Sequence, residues 1–202
     1  MVDAPRDGAV QSFPPIAAID TCAVWNILSS RTLTTAARGR CHFVLAEYVR
    51  YECLVKPWKS PESAALRTRL SDELASGKHF AVHSLAIDDL RELVANVGKL
   101  GRFHRGELAA LALTRKLYSG FLTDDRTARK VGENTLGLDR VRTTPHLVGW
   151  LVYGGHLMDG DIPTIIADNA ALNKRYGSLG DFIQACYLHA MGLKLRARAT
   201  TA

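Results

Sequence analysis

No stretch of the sequence reaches the roughly 20 consecutive apolar residues that a membrane-spanning helix needs. The chain does not open on a basic segment followed by an apolar run, so no signal peptide is expected. Its four cysteines, Cys22, Cys41, Cys53 and Cys186, form no CxxC pair, which removes zinc ribbons and thioredoxin-like redox sites. Cys41 and Cys53 lie among apolar residues and read as small, reduced hydrophobes of a cytoplasmic protein. No GxGxxG follows an apolar run, so a dinucleotide-binding turn is missing. Neither internal repeats nor low-complexity tracts occur.

What is present is ordinary globular material. The chain has 202 residues, of which 47% are hydrophobic and 23% charged, enough for a sizeable α/β domain with its own core. The net charge of +6 and a pI near 9.3 favour a polyanionic partner. Residues 1–15 are polar and end in Pro14-Pro15, and read as a flexible leader. Ile16 to Ile19 is a short apolar run ending at Asp20, read as a buried strand, with a helix from Thr21. A second strand, His42 to Leu45, passes into the helical segment EYVRYECL. Ser60-Pro61-Glu62 opens a helix that runs to Gly77, with Ser60 as its cap. Phe80-Ala81-Val82 is a third strand. Asp88 to Val97 is a helix carrying Leu90, Leu93, Val94 and Val97 on one stripe. A basic loop, Lys99 to Arg105, precedes an apolar helix from Gly106 to Leu117. Phe121-Leu122-Thr123 is a strand ending at Asp124-Asp125, and Val141-Arg142-Thr143 is a fifth.

Strands alternating with helices, without hairpin signals, predict a parallel sheet of about five strands flanked by helices. From Pro145 onward the pattern is helical, over 146–153, 162–174 and 179–191. Its apolar stripes, such as Leu147 with Leu151 and Ile162 with Ile165, require a packing partner.

Asp20 and the Asp124-Asp125 pair both follow apolar strands at their C-terminal ends, the edge where open parallel sheets bind ligands. Glu52 and Glu107 lie on helices expected near the same edge. Carboxylates gathered there repel one another unless a cation neutralises them. Oxygen-only donors suit Mg²⁺ or Mn²⁺, which activate water for attack on a phosphodiester.

The segments IAAIDTCAVWNIL, YVRYEC, GELAALAL and FLTDDRTARKV, in that order, resemble a PIN domain. The resemblance is narrower to the subgroup in which GE-x-x-A precedes a D-D-x-x-A-R strand end, whose commonest members are bacterial toxins of type II toxin–antitoxin pairs. It covers residues 16–156, with 157–202 as a C-terminal helical extension packed on that domain. It implies a PIN-like fold and a metal-dependent endoribonuclease leaving 5′-phosphates. It also implies RNA as substrate, a cognate antitoxin as partner, and a homodimer. The acids it picks out are Asp20, Glu52, Glu107 and either Asp124 or Asp125, with Asp20, Glu107, Asp124 and Asp125 toward the metal. Glu107 departs from the aspartate that many members carry. Thr21 and Thr123 match polar positions beside the family's metal site.

Each residue also has a plainer reading. Asp20, Asp124 or Asp125 can cap the following helix, Glu52 can pair with Lys56 at i+4, and Glu107 suits a helix N-terminus. Glu47 rivals Glu52 for the helical acid. The basic residues Lys99, Arg102 and Arg105, before Glu107, and Arg126 and Arg129, after the aspartate pair, are candidates for phosphate contacts. An alternative function is a PIN-like module that binds nucleic acid or protein without cleaving. An aspartate-nucleophile phosphatase is disfavoured, because Asp20-Thr21-Cys22 lacks that motif's second aspartate.

Overall fold

The structure, a computed structural model, describes residues 5–57, 61–96, 104–173 and 179–200. In chain order the elements are α1 (Asp7–Gln11), β1 (Ile16–Ile19), α2 (Thr21–Ser29), α3 (Arg31–Ala37), β2 (His42–Ala46), α4 (Glu47–Leu54), α5 (Pro61–Ser76) and β3 (Phe80–His83). They continue with α6 (Ile87–Asn96), α7 (Arg105–Lys116), β4 (Gly120–Leu122), α8 (Arg126–Leu136), β5 (Val141–Arg142), α9 (Thr144–Tyr153), α10 (Asp161–Leu172) and α11 (Gly180–Thr200). The fold is α/β with a five-stranded, wholly parallel sheet in the order β3-β2-β1-β4-β5, consistent with a PIN-like architecture. No helix among the described residues is long and apolar enough to cross a membrane.

The chain divides into two compact units that are not contiguous in sequence. A sheet unit takes Pro14–Trp25 and Arg38–Arg142; a helical unit takes segments of Met1–Phe13, Asn26–Ala37 and Thr143–Ala202. This differs from the contiguous split at residue 156 expected from the sequence.

In the sheet unit, β1 is central and short. Ala17, Ala18 and Ile19 are fully buried, because a parallel sheet covered on both faces has no solvent side. Ala18 is level with Val44 of β2 and Phe121 of β4, so both neighbours bring bulk to a narrow strand. α8 lies close against β4: a Cβ on Gly132 would come within 2.8 Å of Phe121 Cδ1. α7 ends in a Schellman turn, with Tyr118 N–H donating to Arg115 O and Ser119 N–H to Thr114 O, both at 3.2 Å. Tyr118 therefore takes φ 49°, a left-handed conformation that normally falls to glycine. The α6 stripe is buried mainly through Leu93; Leu90 and Val94 are exposed, and Val97 lies outside the described residues. Ser60 lies outside them too.

In the helical unit, α9 and α11 pack along one another with α1 and α10 alongside. A Cβ on Gly149 would meet Cys186 Cβ and Val10 Cγ2 at 3.2 Å. Residues 7–11, expected within a flexible leader, are instead helical, because Ala9 and Val10 are buried. Phe13 stacks on Trp150 with ring centroids 5.3 Å apart.

Candidate active site

Asp20 stands where β1 ends, and only 1% of its surface is exposed. Its Oδ1 accepts the Ala23 N–H at 2.8 Å, so the plain capping role is real. Its Oδ2 accepts the Thr123 hydroxyl. That hydroxyl in turn accepts the Asp125 N–H at 3.2 Å, which ties the end of β1 to the turn after β4. Burial, with the charges of Asp124 and Glu107 added, pushes the Asp20 carboxyl up to about 8, against the two hydrogen bonds that lower it.

The aspartate pair divides its work. Asp125 Oδ1 accepts the amides of Thr127 at 2.7 Å and Ala128 at 2.8 Å, capping α8. Asp124, half-buried, is the member whose charge bears on Asp20. Asp125 still acts on Glu107, whose carboxyl is raised mainly by burial and further by Asp125 and Glu52. Glu107 is buried, and its Oε2 accepts the His104 N–H at 3.1 Å, closing the first turn of α7.

Glu52 is brought in as well. Its Oε2 accepts the Thr21 hydroxyl at 2.7 Å, and its Oε1 lies 3.7 Å from Lys56 Nζ. Glycine at 106 makes room for it: a Cβ there would stand 2.2 Å from Glu52 Oε2. The rival acid, Glu47, is exposed and pairs with Arg50 at 2.8 Å. Asp20, Glu52 and Glu107 line one cleft of about 190 Å³ together with Thr21, Cys22, Lys56 and His104. The Cys22 thiol is pushed up chiefly by burial and further by the charges of Asp20, Asp124, Glu107 and Asp125, which lie in its neighbourhood.

Arg105 and Arg126 are exposed at the first residues of α7 and α8, and Arg129 is half-buried on α8. Lys99 and Arg102 lie outside the described residues. A larger hollow of about 520 Å³, lined by Arg38, Asp72, Glu73 and His79, sits at the opposite ends of β2 and β3. Its buried Glu73 is already paired with Arg38.

The donor chemistry fits a hard divalent cation: every candidate ligand is a carboxylate, and Asp20, raised chiefly by burial, is raised further by the like charges of Asp124 and Glu107. The spacing is less closed. Among the described residues no group of three or more His, Cys, Asp or Glu side chains stands ready to hold a metal ion. Neither a family model nor a curated protein matches this chain.

Sequence reasoning overlooked Gly106, Cys22 and the cleft side of Lys56. The signal for Lys56 was present in its i+4 spacing from Glu52; Gly106 stands in the GE-x-x-A segment, but nothing local announces its approach to Glu52, which joins segments far apart in the chain.

Proposed function

We propose that this chain is a Mg²⁺- or Mn²⁺-dependent endoribonuclease of PIN type. The observation that carries the reading is the buried Asp20 at the C-terminal end of the central strand, within charge range of Glu107 and Asp124. Those three residues would hold the ion, with Asp125 beside them through its effect on Glu107. When bound, the ion supplies Lewis acidity to the phosphodiester and to an attacking water.

The remaining work falls to the chain itself. Thr123 fixes the orientation of Asp20. Thr21 fixes Glu52, which lines the cleft and would take a proton from water. Arg105, just before Glu107, and Arg126 and Arg129, just after the aspartate pair, would supply phosphate contacts outside the reacting centre.

Calorimetry with Mn²⁺ on wild type and Asp20→Asn tests the site, alongside cleavage of single-stranded RNA with and without Mg²⁺. Wild type should bind and cleave, while Asp20→Asn loses cleavage and binds Mn²⁺ at least tenfold more weakly. Equal binding by both proteins removes Asp20 as a ligand.

The second reading, a PIN-like binder that does not cleave, is favoured by one observation: no described group of acids is closed to ion-holding spacing. RNA binding without Mn²⁺ binding would select it. A toxin role with a cognate antitoxin, a homodimer and a cytoplasmic setting rest on the resemblance alone. A neighbouring reading frame for a small DNA-binding protein tests the first, and light scattering tests the dimer.

A further inference from the structure

We infer that Lys56 is the residue through which the acidic cleft grips a phosphate of its polynucleotide substrate, an inference that rests on the nuclease reading above. A cleft walled by Asp20, Glu52 and Glu107 repels a polyanion, so beside the charge of a bound ion a cationic side chain in the wall favours entry of a phosphate. Among the described residues that line the cleft, Lys56 is the only lysine or arginine.

Its position is built. Its N–H donates to Tyr51 O at 3.0 Å, just beyond the end of α4. Its carbonyl accepts Arg67 Nη2 from α5. Its Nζ faces Glu52 Oε1 at 3.7 Å, and the side chain is 57% exposed. Glu52 is itself anchored from the other side, by the Thr21 hydroxyl on Oε2 and by the close approach to Gly106. One oxygen of Glu52 is thus committed to the protein and the other is turned to the lysine. An ordinary exposed i,i+4 pair has no such anchoring. Lysine suits the task, because its compact ammonium on a flexible stem can leave Glu52 for a phosphate without losing its backbone position.

The test measures binding of labelled single-stranded RNA by fluorescence anisotropy over a salt series. The proteins are wild type, Lys56→Ala, Lys56→Arg and Lys78→Ala, each checked for native circular dichroism. Lys78 removes the same charge but borders the hollow at the opposite strand ends. Lys56→Ala should weaken binding several-fold at low salt and flatten the log K against log salt line by about 0.7, the value for one phosphate contact on a single strand. Lys56→Arg should restore both, and Lys78→Ala should leave the slope in place. An unchanged Lys56→Ala slope, or equal losses in Lys56→Ala and Lys78→Ala, overturns the inference while the nuclease reading stands. Failure of wild type to bind RNA at all overturns that reading and this inference with it.

Discussion

In the helical unit Asn169 is 1% exposed and every end of its amide is used. Its Nδ2 donates to Asn26 Oδ1 at 3.0 Å, and its Oδ1 accepts the Leu179 N–H at 2.9 Å. Asn173 joins the same Asn26 oxygen at 2.9 Å. In the sheet unit Asp20 is equally buried and its carboxylate accepts two hydrogen bonds, yet its neighbours include Asp124 and Glu107. The amides form a neutral network that closes on itself and holds helices together. The carboxylates form a network whose hydrogen bonds are met but whose charge is not. Burial of polar groups by itself therefore separates nothing; the sign and balance of charge do.

The strongest way to break this contrast is to remove one side of it. Truncation after residue 144 strips α9, α10 and α11 from the helical unit and leaves α1 and α3 without their partners. The product should aggregate by light scattering. A soluble, folded product would show that the unit's core contributes little.

The next prediction follows from Asp20. Its folded carboxyl titrates near 8 against 3.8 for a free side chain, so the fold binds a proton there that the unfolded chain has released. The stability present below about pH 4 is therefore lost as pH rises toward 8, at about 1.4 kcal/mol per pH unit within that window. Urea denaturation of metal-free protein at pH 5, 6 and 7 should show this fall in wild type and a shallower one in Asp20→Asn. Parallel slopes would mean that Asp20 is ionised in the fold.

Asn169→Ala sharpens the other half. It leaves the Asn26 oxygen short of one donor and the Leu179 N–H without its acceptor, and should cost roughly 2–3 kcal/mol by thermal or urea unfolding with no pH dependence of its own. The smallest effect lies outside both networks. Tyr118 is 88% exposed and held at φ 49°, so Tyr118→Gly should stabilise the sheet unit by about 0.5–1 kcal/mol. A lower melting temperature would mean that the ring makes contacts that matter.

The strands were readable because short apolar runs bounded by polar residues leave few alternatives: Ile16–Ile19 and Gly120–Leu122 fall within a residue of expectation. The edge position of Asp20 followed from that. α1 and α3 were not readable. α1 has five residues, too few to show a period, and exists because Ala9 and Val10 are buried. α3, RTLTTAA, is rich in threonine, a poor helix former. It is held by burial of Leu33 and by the Thr34 hydroxyl, which donates to Ile27 O and Ser30 O at 2.9 Å. The choice between Asp124 and Asp125 was also closed to sequence. Both spacings permit a cap, and only the amides of Thr127 and Ala128 show which carboxylate took it.

The pairing of β1 with β4 has a consequence in time. Asp20 and the Thr123 hydroxyl that orients it are 103 residues apart, and Asp20 N–H reaches Leu122 O only once β4 has docked. Contacts of such long sequence separation form late, because a large loop must close before any of them is rewarded. A nascent chain that has extruded β1, β2 and β3 holds Asp20 and Glu52 without Thr123, Asp124 or the cap of α8. A chain halted before residue 123 thus carries the residues that line the cleft but lacks the hydroxyl that orients Asp20 and the aspartate pair beside it.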